Sequence, residues 1–219
     1  MAVDEQVPLL DTVVVLGAGP DAPAVVPARP GALVVAADGG AELAPRLGLS
    51  VDIAVGDFDS ISPAALDALE RAGVRVERHP RAKDATDLEL ALDLALGLRP
   101  RRLFVVGSAG GRVDHALGQL LLLASDAYRA VEIDAQLGPA SVHVIRQERS
   151  LVGTAGELVS LFALHGAAVG VVTEGLVYPL RGETLEPGSS RGLSNVFARD
   201  GARVALERGV LLAIRPGDA

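Results

Sequence analysis

Up to about Arg146, short β-branched runs alternate with stretches whose apolar residues recur at helical spacing. Thr12–Leu16, Leu33–Ala36, Asp52–Val55, Val74–Glu77 and Leu103–Val106 read as strands, and Ala130–Ile133 and Val142–Ile145 close the series. Between them, Gly40–Leu47, Pro63–Ala72, Thr86–Leu96 and Asp114–Ser125 read as helices. Pro63 suits a first helical turn, with Ser62 before it as N-cap. Strands alternating with helices imply an open, mostly parallel sheet with helices on both faces.

After about Ser150 the pattern changes. Leu158–Leu164, Ala168–Val172, Val177–Pro179, Arg203–Leu206 and Val210–Ile214 read as strands separated by Gly, Pro and Glu-Gly turns, with no helical stretch among them. The expectation is a second, all-β unit of about 70 residues, a size that often needs a partner to bury enough surface. Dimerisation is expected on that ground.

Composition narrows the function. Hydrophobic residues make up 49% of the 219, enough for a sizeable core and too many for a disordered chain. A net charge of −8 disfavours a nucleic-acid partner, and the scarcity of aromatics argues against a base-stacking platform. Cysteine is absent, which excludes disulfides, thiolate catalysis and Cys-based zinc sites. The first residues, MAVDEQVPLLD, lack the basic and apolar regions of a signal peptide. The longest apolar run, around Leu120 to Ala124, is far too short for a membrane span, so the expected setting is cytoplasmic with no membrane partner. Of 20 basic residues 19 are Arg, and the single Lys, Lys83, stands directly against Asp84. A compact ammonium there can meet a phosphate as a point charge; chance placement is the alternative.

Carboxylates recur just beyond predicted strand ends: Asp38 in ADGG, Asp57 and Asp59 in GDFDS, Asp84 and Asp87 in KDATD, Asp114 in GGRVDH. Ligands of an open α/β sheet bind beyond the carboxyl ends of its strands, so these acids converge. Such a cluster repels itself without a cation, and hard divalent cations prefer oxygen ligands. The pattern points to Mg²⁺ and phosphate.

The individual motifs differ in weight. Gly17, Gly19 and Ala22 match a dinucleotide fingerprint, but Pro20, Pro23, Pro27 and Pro30 deny it the helix that pyrophosphate requires. The segment reads instead as a tight glycine turn. In ADGG, Gly39 and Gly40 let backbone N–H groups approach an anion, although the same residues make an ordinary turn. In GDFDS the two acids can share a cation, and Ser60 can cap the next segment or donate to a phosphate. Asp84 and Asp87 sit where a helix dipole favours acids, so capping and function are both open. In GSAGGRVDH, Gly110 and Gly111 permit a phosphate cradle, Arg112 can neutralise transferring charge and Asp114 can join the metal set. Ser194 and Asn195, in RGLSN, can read the edge of a heterocycle or line a solvated hairpin.

Taken in order from ADGG to GLSN, these motifs resemble thiamine pyrophosphokinase (thiamine diphosphokinase), and the resemblance covers most of the chain. It implies an α/β domain over residues 1–147 that binds ATP and Mg²⁺, followed by a β-sandwich over 148–219 that binds thiamine and joins a homodimer. The implied active site lies between subunits. The implied reaction moves pyrophosphate from ATP to the thiamine hydroxyl, giving thiamine diphosphate and AMP. By similarity, Asp57, Asp59 and Asp87 form the metal-bound catalytic centre with Asp114 close by. Asp38, Gly39, Gly40, Lys83 and Arg112 serve the nucleotide, and Ser194 and Asn195 hold thiamine. An Asp carboxylate accepts the hydroxyl proton.

Two features depart from the family pattern. Gly118-Gln119 stands where the family usually carries Asn, and the last predicted strand, around Val210 to Leu212, lacks the Trp some relatives place near thiamine. The competing functions are a pyrophosphokinase for a pterin or similar alcohol, a nucleotide-binding sensor without chemistry, and a metal-dependent phosphohydrolase. Retention of the whole acidic set counts against the sensor.

Overall fold

The computed structural model describes residues 10–27 and 29–217. They divide into two compact units: the chain up to Ala18 with Ala24–Val106, and Gly19–Pro23 with the chain from Gly107 onward.

The first unit is built from β1 (Thr12–Leu16), β2 (Leu33–Ala37), β3 (Ile53–Gly56), α1 (Pro63–Arg71), β4 (Arg75–Arg78), α2 (Asp87–Gly97) and β5 (Arg102–Gly107). The strands pair in parallel in the order β5-β1-β2-β3-β4. Every residue of β1 and β3 is buried, as expected of central parallel strands covered on both faces. Winding reverses between β1 and β5, the kind of switch point beside which open α/β sheets bind ligands. Ser62 caps α1 by accepting the Ala65 N–H, and Thr86 caps α2 by accepting that of Glu89. Buried Ala91, Leu92 and Ala95 seat α2 against β1, β2 and β3.

The helix expected over Gly40–Leu47 does not form; two 3-10 turns, Asp38–Glu42 and Pro45–Leu47, take its place. Pro45 has no N–H for the helical ladder and its ring opposes the carbonyl four residues back. Gly48, at φ 67°, then ends the segment.

The second unit comprises α3 (Val113–Leu123), β6 (Glu132–Leu137), β7 (Ala140–Ile145), β8 (Glu148–Leu151), β9 (Leu158–Ala163), β10 (Ala168–Glu174), β11 (Arg181–Leu185), β12 (Asn195–Val196), β13 (Ala202–Ala205) and β14 (Leu211–Arg215). Within it two antiparallel arrays run β12-β9-β14-β7-β6 and β11-β10-β13-β8. Alternate residues of β9 point inward, so Val159, Leu161 and Ala163 share one core with Val171, Leu185 and Val204 of the other array.

Three strand expectations change here. Val142–Ile145 falls inside β7, antiparallel to β6 and β14, and so does not extend the parallel series. The strand expected over Ala130–Ile133 begins at Glu132, after a 3-10 turn over Asp126–Tyr128. Val177–Pro179 is loop, and the strand lies instead at Arg181–Leu185, an edge paired with β10 alone and too polar in sequence to announce itself. Among the described residues no helix is long and apolar enough to cross a membrane.

Candidate functional site

The acids of the first unit owe their placement to one buried ring. Phe58 is 6% exposed and packs with Ala54 and Ile61. To bury it the backbone adopts φ 60°, a left-handed conformation that costs a bulky residue about 1–3 kcal/mol. Burying the ring offsets this by about 2–3 kcal/mol. Asp57 and Asp59 are thereby left on either side of the anchor, and the Asp59 N–H donates to Asp57 Oδ1 at 3.1 Å. Asp38, also left-handed at φ 45°, follows β2, while Asp87 opens α2. Gly56 brings them together: a Cβ there would lie 3.1 Å from both the Asp38 Cβ and Asp87 Oδ1.

Among the described residues, Asp38, Asp57 and Asp59 are the acids positioned to share a cation, their offered oxygens all lying within 4.8 Å of one another. Asp38 Oδ1 is buried without a hydrogen-bond partner, and Ser60 donates its hydroxyl to Asp38 Oδ2. An all-oxygen set with one orphaned buried oxygen fits a hard cation such as Mg²⁺. Asp87 stands outside that trio. Lys83 bridges it to Asp57, with Nζ 2.8 Å from Asp87 Oδ1 and 3.3 Å from Asp57 Oδ2. Arg81, unremarked in the sequence, lies 3.0 Å from Asp59 Oδ2.

These contacts separate the carboxyls electrostatically. Burial pushes the Asp38 carboxyl up, aided by the charges of Asp87 and Asp57. The Asp59 N–H, with Lys83 and Arg81, holds Asp57 below the usual carboxylate range. Lys83 is pushed up, chiefly by its hydrogen bond to Asp87 and then by Asp57. Four carboxylates against two cationic side chains leave an excess of two negative charges when all are ionised, matching a divalent cation.

ADGG owes its glycines to packing. A Cβ on Gly40 would fall 2.1 Å from the Leu16 carbonyl oxygen, and one on Gly39 would fall 3.0 Å from Ser60 Oγ. Asp84 is exposed and makes no contact with the trio.

The remaining expected residues belong to the second unit. Arg112 precedes α3 and grips Asp114 with both arms, Nε reaching Oδ1 at 3.1 Å, and both side chains are well exposed. That pairing holds the Asp114 carboxyl below its ordinary range. Gly110 and Gly111 form the turn before them, Gly111 at φ 82°. Ser194 is left-handed at φ 52° and donates its N–H to Ser160 Oγ at 3.0 Å. Asn195 is 2% exposed, and its amide binds backbone rather than facing solvent. A cavity of about 200 Å³ adjoins this loop, lined by Phe162, Glu186, Ser189, Ser190 and Leu193 among others. Two residues earn attention that sequence reasoning did not give them: Tyr178, which Asn195 holds, and Asp21, which Ser108 holds.

An α/β unit with cation-ready acids beyond its strand ends, in one chain with an antiparallel β sandwich, defines a phosphate-group transferase class. The comparisons specify which. Residues 29–134 match the model of the thiamin pyrophosphokinase catalytic domain, and residues 142–211 match that of the thiamin pyrophosphokinase vitamin B1 binding domain. Thiamine pyrophosphokinase of Bacillus subtilis is 28% identical over 172 residues, 75% of this chain and 78% of the relative. The crystal structure of a Bacillus subtilis thiamine pyrophosphokinase superposes with a TM-score of 0.82 at 25% identity, covering 95% of this chain and all of that one. That of the Geobacillus thermodenitrificans enzyme gives 0.78 at 25% identity, over 95% of this chain and 98% of its own. The chain belongs to the thiamine pyrophosphokinase family.

Proposed function

We propose that this protein is a Mg²⁺-dependent thiamine diphosphokinase that moves the terminal pyrophosphoryl group of ATP to the hydroxyl of thiamine. The observation that carries the reading is the Asp38, Asp57 and Asp59 trio, with Lys83 bridging Asp57 to Asp87 beside it. The thiamine oxygen bonds to the β-phosphorus as the α–β anhydride bond breaks. AMP leaves, and an Asp carboxylate of the group takes the hydroxyl proton. Such transfer rests on positioning and charge stabilisation more than on covalent chemistry.

Asp38, Asp57 and Asp59 would hold Mg²⁺, with Asp87 next to them as the family pattern implies. Bound there, the cation neutralises charge on the phosphate oxygens. Lys83 adds a fixed ammonium beside the acids, and Arg112 and the turn at Gly110 and Gly111 serve the nucleotide. We assign residues 1–147 to ATP and 148–219 to thiamine and dimerisation. The matched stretches 29–134 and 142–211 lie inside those limits and support the division. Ser194 and the loop that Asn195 holds would meet thiamine from the partner subunit of a cytoplasmic homodimer.

Supplying ATP and Mg²⁺ with either thiamine or a pterin alcohol tests the acceptor. AMP release that depends on thiamine is expected. Release driven by the pterin instead would overturn the acceptor, and ADP release would overturn the reaction.

A further inference from the structure

The glycine segment rejected as a dinucleotide fingerprint has a place in the second unit. Gly19–Pro23 clusters with the chain from Gly107 onward. Ser108, at the head of the 107–112 turn, is gripped from two sides. Its hydroxyl donates to Asp21 Oδ1 and lies 3.3 Å from the Gly110 carbonyl oxygen. Its backbone carbonyl accepts from Gln119 Nε2, on α3, at 3.1 Å.

The fit around these contacts leaves no slack. A Cβ on Gly19 would fall 1.9 Å from the Ser108 Cβ, and one on Gly110 would fall 2.9 Å from the Asp21 carboxylate. A Cβ on Gly138 would fall 2.6 Å from Asp21 Oδ2, and the Gly138 N–H donates to the Gly107 carbonyl at 3.0 Å. The Ser108 hydroxyl, then the amides of Gly110 and Ala109, keep the Asp21 carboxyl below its ordinary range, so it is an anion at neutral pH. A turn with glycines at 107, 110 and 111 has more backbone freedom to lose than any other, and ordering it before the ligand arrives strengthens binding.

We propose that Asp21 and Gln119 are positioning residues that hold Ser108 from both sides and so preset the 107–112 turn for the nucleotide. The proposal rests on the reading of that turn as the ATP side of a pyrophosphokinase. Gln119 then has a defined task in place of the family's Asn: its longer side chain reaches back one helical span to the turn's carbonyl.

The test measures binding of α,β-methylene ATP with Mg²⁺ by titration calorimetry, which needs no turnover, beside steady-state kinetics. Asp21→Ala and Ser108→Ala should each weaken analogue binding about tenfold, as expected for loss of a charge-assisted hydrogen bond. The double variant should be no weaker than the weaker single, because both remove one contact. Asp21→Asn, which keeps an oxygen for the Ser108 hydroxyl, should stay within about threefold of wild type. Gln119→Leu should raise the KM for ATP and leave that for thiamine unchanged. Additive losses, unchanged binding, or tighter binding by Asp21→Asn would overturn the proposal. If wild type binds the analogue but forms no thiamine diphosphate, loss in the variants still supports it, and only the enzymatic reading fails. A wild type that does not bind the analogue overturns both.

Discussion

Asn195 grips Tyr178 at both ends of its backbone: Oδ1 accepts the Tyr178 N–H at 3.0 Å and Nδ2 donates to its carbonyl at 2.8 Å. Oδ1 also accepts the N–H of Val196 at 2.9 Å. A residue expected to read a heterocycle is therefore engaged in pinning the loop after β10. Tyr178, 58% exposed, is the aromatic that loop presents.

Asn195→Ala leaves three backbone groups to find other partners and opens space at a buried position. A stability loss of about 2 kcal/mol is expected, read from urea denaturation. Asn195→Asp keeps the acceptor but sets a carboxylate against the Tyr178 carbonyl, and should be at least as damaging. A loss below about 0.5 kcal/mol in both would mean that the clamp contributes little.

Gly56 sits at φ 152° with no room for a methyl group beside Asp38 and Asp87. Gly56→Ala should force the two acids apart, cost about 1–3 kcal/mol in stability and weaken Mn²⁺ binding to the trio. Paramagnetic resonance of titrated Mn²⁺ reads the second effect directly.

Lys83 is the internal cation of the acidic group. Lys83→Met should lower turnover about 100-fold, the scale of losing one electrostatic donor at a reacting centre. The same variant should bind Mn²⁺ more tightly without nucleotide, since Asp57 and Asp87 lose their ammonium. Unchanged turnover would remove Lys83 from the site.

Arg203 ties three strands of the second unit, pairing with Glu148 of β8 and with Glu174 of β10. Its hydrogen bonds hold Glu148 below its ordinary value of 4.5. A carboxyl depressed in the folded state stabilises fully above its unfolded pKa, and that contribution disappears as pH falls through the folded pKa. Arg203→Ala should therefore lower the melting temperature at pH 6 and converge on wild type as the pH drops below about 4. A gap that widens in acid would contradict the assignment.

How far the sequence foretold the structure depends on which force fixed each element. β1, β3 and β5 were legible because buried parallel strands are continuous apolar runs, and α1 and α2 because their caps stand in plain view. β11 was not, since RGETL pairs on an edge and carries no alternating pattern. The acids were legible as a set but not in their partnerships. Whether Asp38 or Asp87 joins Asp57 and Asp59 is decided by Gly56, the left-handed Phe58 and the reach of Lys83. The contact between Asp21 and Ser108 spans 87 residues and leaves no local trace.

The measurement that bears most directly on the whole account is simultaneous quantification of nucleotide and vitamin products from purified protein with ATP, Mg²⁺ and thiamine. AMP and thiamine diphosphate should appear together in equal amounts, and neither should appear without thiamine. ADP with thiamine monophosphate would mean that the attack falls on the γ-phosphorus, contradicting pyrophosphoryl transfer by this site.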